Sequence, residues 1–122
     1  MINQINDFLN SSVRNQWVTD EFMQVYLRKS HRYYAGNLIQ FLDIATIVVY
    51  PYFQRQGKCG EFIKTAHQIN PFQATFVENV LHEFLRVHLR KNQYLEYSIT
   101  NCFFKFTNTK FSHLIIRIEE QS

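Results

Sequence analysis

Cysteine, glycine and proline are all scarce in this 122-residue chain, at two, three and two residues. Two cysteines, Cys59 and Cys102, cannot form the disulfide framework that staples small secreted domains, and their number and spacing make no zinc site. So few glycines exclude two familiar phosphate loops. The Walker form needs Gly-x-x-x-x-Gly-Lys-Ser/Thr, the dinucleotide form needs three spaced glycines, and neither occurs. No stretch reaches the roughly 18 apolar residues of a membrane span. Residues 1–7 lack the basic and apolar regions of a secretory leader. The expectation is a soluble, cytoplasmic protein with reduced thiols and no metal. A strong charge bias is also missing. The formal net charge is +3, from 13 basic and 10 acidic residues, and it is not gathered into a long run. The densest basic stretch, residues 86–91, reads as a solvated helix face. Nucleic-acid binding through Arg86, Arg90 and Lys91 is a third reading, behind the two developed below.

What the chain has in quantity is apolar and aromatic surface. It is 46% hydrophobic, with 12 Phe and 7 Tyr. Each buried aromatic removes roughly 150–250 Å² from water, so the core is expected to be rich in Phe. The length suits a single domain over residues 1–122. Helical spacing of Ile2, Ile5, Phe8 and Leu9 predicts a helix over 2–10. Residues 21–29 alternate as a strand, and 30–37 read as a turn containing His31, near the acceptor side. Residues 38–49 are apolar on both faces and predict a central strand. Pro51 stops it. A polar turn leads into a helix over 60–69, which Asn70-Pro71 ends. Residues 74–77 predict a strand. Residues 79–91 predict a helix with Val80, Leu81, Phe84, Leu85, His88 and Leu89 on one face. Strands are expected at 94–99, 102–107 and 114–118. The mixed order points to an α/β or α+β sheet domain.

The segment 43–66 carries the chemistry. A buried strand, a glycine turn and a helix start place unpaired N–H groups and the positive end of a helix dipole together. Anions settle at such turns. Gly57 and Gly60 are the permissive positions, and Arg55 and Lys58 add charge.

The run from Asp43 through Val48-Val49-Tyr50-Pro51 to Gln54-Arg55-Gln56-Gly57-Lys58-Cys59-Gly60 resembles motif A of the GNAT acetyltransferases. The family pattern is an acidic residue on a strand, Val-x-Pro, then Gln/Arg-x-x-Gly-x-Gly/Ala. Cys59 departs from it. Residues 76–94 resemble motif B, with Lys91 and Tyr94 matching its end. Gln93 stands in place of a glycine, His82 in place of a cofactor-contacting Asn, and Leu89 in place of a Tyr that often serves as general acid. The likeness covers roughly residues 38–98.

This resemblance implies a GNAT-like mixed sheet flanked by helices, with the motif A and motif B strands splayed. It implies acetyl-CoA as co-substrate. Backbone groups of Ile47, Val48 and Val49 would pair with the pantetheine arm, the amides of residues 55–60 would hold the pyrophosphate, and His82 would border the cofactor. An amide near Val49 would polarise the thioester carbonyl, an effect commonly worth about 3–4 kcal/mol. The acceptor is an amine, which must lose a proton before it attacks. Asp43 occupies the place of a catalytic Glu or Asp, and reads either as the base or as a carboxylate bonded to a neighbouring strand or loop. Two-residue alternation puts it on one face with Ala45, Ile47 and Val49. Glu78 is the second candidate base. The other reading is a non-catalytic GNAT-like module that binds a protein partner, with or without CoA. Few residues precede motif A, so a partner or a second copy in a homodimer is expected to complete the acceptor wall.

Overall fold

The computed structural model describes residues 1–97 and 101–107. Within them the chain forms helix α1 (Ile2–Leu9) and strands β1 (Asn15–Thr19), β2 (Met23–Tyr34) and β3 (Asn37–Val49). A short 3-10 turn (Pro51–Phe53) leads to helix α2 (Lys58–Ile69). Strand β4 (Ala74–Val77), helix α3 (Glu83–Lys91) and strands β5 (Leu95–Glu96) and β6 (Phe103–Phe106) follow. The strands make one mixed sheet in the order β1-β2-β3-β4-β6-β5. Among the described residues only the β3–β4 pair is parallel. The strand expected over 114–118, and part of the one over 94–99, lie outside the described residues. No helix among the described residues is long and apolar enough to cross a membrane.

β2 and β3 form one long hairpin. Its turn is two residues, Ala35 and Gly36, both at positive φ (51° and 79°). That geometry matches the twist of the flanking strands. The turn expected over 30–37 is therefore much shorter, and residues 30–34 continue β2. His31 lies on a strand, opposite Gln40, not in a loop.

β3 is central, as its composition predicts, and is buried from Phe41 to Ala45. Its alternate residues feed two clusters on opposite faces. Leu42 and Ile44 join Ile5 and Phe8 of α1, Phe62, Ile63 and Ala66 of α2, and Leu89 of α3. Ile39 and Phe41 join Phe76, Phe104 and Phe106 on the other face. Rings there meet edge-on, with Phe41 and Phe76 centroids 5.7 Å apart at 83°. That is the favourable aromatic arrangement.

α3 starts four residues later than its apolar spacing predicts. Asn79 takes φ 54°, and the Val80 N–H bonds the Asn101 carbonyl at 2.7 Å. This seats Val80 in the core from a turn, and the helix phase shifts. Leu81 and Phe84, expected on the buried face, are 75% and 83% exposed, whereas Leu89 is buried.

Candidate active site

The site begins where two parallel strands part. β3 pairs with β4 from Phe41↔Ala74 to Ile44↔Val77. The last bond across is from the Glu78 N–H to the Ile44 carbonyl, 3.1 Å. β3 then runs on to Val49 with no partner on that side among the described residues. This is the expected V-shaped splay, and it leaves a strand edge with open backbone groups.

A β-bulge on β3 decides which groups face the opening. Cross-strand partners are Leu27↔Ile44 and then Tyr26↔Thr46, so Ala45 is the extra residue. The Tyr50 N–H bonds the Phe22 carbonyl on the β2 side at 2.9 Å. Counting back by twos, Val48 and Thr46 also turn their backbone groups to β2, and those of Ile47 and Val49 face the open edge. The Val49 carbonyl already accepts from the Gln54 side chain at 3.1 Å. Val48 therefore differs from its neighbours: its backbone pairs with Gln24, and it is not turned to the opening.

The bulge also corrects the expected face. Arg28↔Asp43 and Tyr26↔Thr46 share one side of the sheet, and Leu27↔Ile44 and Val25↔Ile47 share the other. Asp43 is thus opposite Ile47 and Val49, because one inserted residue flips the phase of every side chain beyond it.

Asp43 is fully buried. Its Oδ1 accepts from Ser30 Oγ at 2.8 Å and Arg32 Nη1 at 2.6 Å, and its Oδ2 accepts from Arg32 Nη2 at 3.1 Å. Arg28 lies 3.7 Å from Oδ2. Glu78 accepts from Arg28 Nη1 at 2.8 Å and sits 3.4 Å from Arg32. The Arg32 guanidinium lies 3.7 Å from the Phe76 ring centroid. Two carboxylates and two guanidinium groups thus form one network at the fork of β3 and β4. Buried charges are tolerated only when paired in this way. The two carboxylates differ in access: the Glu78 side chain keeps 19% of its surface exposed and that of Asp43 none.

Beyond the open strand edge the chain passes through the Pro51–Phe53 turn to the start of α2. Arg55 and Gly57 both take left-handed backbone angles, φ 64° and 75°. Gly57 is the N-cap, without a side-chain capping bond. The first helical bond is from the Glu61 N–H to the Gly57 carbonyl, 3.0 Å. None of the N–H groups of Arg55, Gln56, Gly57, Lys58, Cys59 and Gly60 has an acceptor among the described residues. A helix start with so many orphan donors is an anion receptor.

The flanking side chains divide. Arg55 is exposed and makes no ion pair among the described residues. Lys58 folds back, with its ammonium 4.2 Å from the Phe22 ring centroid and 3.8 Å from Glu61. Gln56 bonds the Tyr52 carbonyl at 3.2 Å. Burial pushes the Cys59 thiol up to about 11, so it is protonated at neutral pH and is no nucleophile. Gly60 serves packing: a Cβ there would lie 2.9 Å from His88 Nε2. His82, exposed, is the N-cap of α3 and stacks on Phe84 at 6.0 Å. Sequence reasoning missed Arg28, Arg32 and Ser30. Their signal was the alternate placement of Tyr26, Arg28, Ser30 and Arg32 on the β2 face that meets Asp43. Among the described residues no His, Cys, Asp and Glu cluster has a metal-ligand arrangement.

No protein-family model and no curated protein matches the sequence. Solved structures match in fold. A mutant of the AtaT toxin, bound to the C-terminus of the antitoxin AtaR and acetyl-CoA, has a TM-score of 0.56 at 16% identity. That match covers 80% of this chain and 63% of the other. AtaT complexed with acetyl-methionyl-tRNA gives 0.52 at 14% identity, over 78% and 66%. A mutant of KacT gives 0.56 at 13% identity, over 92% and 86%. The chain is thus similar in fold to these proteins, a GNAT-like mixed sheet, and spans about 63% of the length of the first.

Proposed function

We propose that the chain is an acetyltransferase, a small GNAT-type domain that transfers an acetyl group from acetyl-CoA to an amine. The observation that carries this is the junction of an open β3 edge with a helix start bearing six unbonded amides. The amides of residues 55–60 hold the pyrophosphate, beside Arg55, a cation with no ion pair among the described residues. The Ile47 and Val49 backbone groups line the pantetheine arm, and an N–H of this edge polarises the thioester carbonyl, as an oxyanion donor does. The bound thioester supplies the acetyl group. Glu78, with its exposed edge at the fork, is the better placed proton acceptor, directly or through water. Asp43 holds Arg28 and Arg32 in position.

The acceptor class we infer is the amine of an aminoacyl-tRNA, because a fold neighbour is seen complexed with acetyl-methionyl-tRNA. A thiol-release assay with acetyl-CoA tests the reading, run with aminoacyl-tRNA, free amino acids, polyamines and lysine peptides. Turnover with aminoacyl-tRNA supports both the chemistry and the acceptor. Turnover only with another amine keeps the chemistry and replaces the acceptor. Acetyl-CoA binding without turnover on any amine contradicts the enzyme reading.

A further inference from the structure

A second cavity lies at the outer corner of the sheet, bordered on one side by Ser30, which also bonds Asp43. β1 begins at Asn15 opposite Arg28, so β2 beyond that point has no β1 neighbour. The loop from α1 to β1 folds over this corner, and the Lys29 N–H bonds the Arg14 carbonyl at 2.8 Å. A cavity of about 300 Å³ results, lined by Ser11, Ser12, Arg14, Lys29, His31 and Gln40 among others. That volume is at the lower end for small-molecule sites.

Its chemistry is one-sided. Arg14, Lys29 and His31 line it, and no carboxylate does among the described residues. The side chains of Ser12, Arg14, His31 and Gln40 have no hydrogen-bond partner there. Lys29 donates to the Ser11 carbonyl at 2.6 Å, and its ammonium lies 4.6 Å from the Phe8 ring centroid. Residues carrying a guanidinium, an ammonium, an imidazole, an amide and hydroxyl groups line one space. A phosphate monoester, with its near-double negative charge and three terminal oxygens, matches that set.

We infer that this corner pocket binds a phosphate monoester of about nucleotide size. The site stands whether or not the cleft transfers acetyl groups. The phosphate can belong to a free mononucleotide or to the 5′ end of a strand, and the test separates them. Binding of adenosine monophosphate, inorganic phosphate and a short RNA with and without a 5′-phosphate is measured by calorimetry on the full chain. The same titrations use Arg14→Ala, His31→Ala and the double variant. Arg14 and His31 are exposed and their side chains are unpartnered, so folding is retained, as a thermal melt checks. The expected result is one saturable phosphate-dependent site, weakened at least about tenfold in the double variant, as loss of charge-assisted bonds requires. Acetyl-CoA binding should be unchanged. Tighter binding of the mononucleotide identifies a free ligand, and tighter binding of the 5′-phosphorylated strand identifies a strand end. No binding of any probe at millimolar concentration overturns the inference. So does affinity unchanged in the double variant, or a parallel loss of acetyl-CoA binding.

Discussion

Asp43 and Glu78 show how far residue-level reasoning reaches. Type and position mark both as candidate bases; both lie where β3 and β4 part, but Asp43 is on the face opposite Ile47 and Val49 rather than with them. What they touch was not legible, because Arg28, Ser30 and Arg32 reach Asp43 through the register set by the two-residue Ala35-Gly36 turn, where a longer turn over 30–37 is expected from the sequence. The environments separate their expected effects. Asp43→Asn leaves two guanidinium groups short of a buried counter-charge and should destabilise the fold by about 3 kcal/mol, read from urea unfolding. Glu78→Gln should destabilise less than Asp43→Asn, because its partner Arg28 is 38% exposed, and should lower kcat by about 10²–10⁴-fold if Glu78 is the proton acceptor. Equal melting of the two variants would contradict the assigned division. His67 gives a pH prediction. Burial first, and Lys105 second, lower its pKa from 6.5 to about 4, and its Nδ1 lies 2.8 Å from Thr75 Oγ1. The folded state thus favours the neutral ring. Its contribution is present above pH 6.5 and is lost as pH falls toward about 4. Urea midpoints should decline across that window, and His67→Gln should flatten the decline.

At the scale of elements, most of the pattern was readable: α1, β3, α2 and β4 sit close to their expected spans. β1 was missed, since Asn15–Thr19 has only Trp17 and Val18 as large apolar residues and is held as an edge strand by pairing with β2. The α3 boundary was misplaced because apolar spacing does not distinguish a buried turn residue such as Val80 from a helical one. The end of α3 was marked by a departure that now has a reason. Gln93 stands where motif B has glycine, and its φ is 62°. Tyr94 N–H bonds the Leu89 carbonyl at 2.9 Å and Gln93 N–H bonds that of Arg90 at 3.1 Å, the bonds of a Schellman cap. Gln93→Gly should therefore stabilise the fold by about 1 kcal/mol, measured by the same unfolding assay. The α2–α3 contact offers a second check. Gly60→Ala should destabilise, and most of that cost should vanish in a His88→Ala background, since the clash is with that ring. Additive costs would mean the glycine matters for another reason.

For the whole molecule, the mixed sheet with its splayed β3 and β4 was expected from two motif-like segments, and the topology has that form. The geometry added one rule that no single segment contains. The bulge at Ala45 turns Ile47 and Val49 toward the opening and sends Asp43 to the other face. The charged network, the open strand edge and the orphan amides therefore follow one another along the chain from Asp43 to the start of α2. That succession is the central claim. Its most direct measurement is a calorimetric titration of the full chain with acetyl-CoA, beside Gly57→Val. Gly57 has open space around its Cα but needs φ 75°, which valine resists. The account predicts saturable one-to-one binding to the wild type and at least about a tenfold loss in a folded Gly57→Val. No binding by the wild type at millimolar acetyl-CoA, or equal binding by the folded variant, would contradict it.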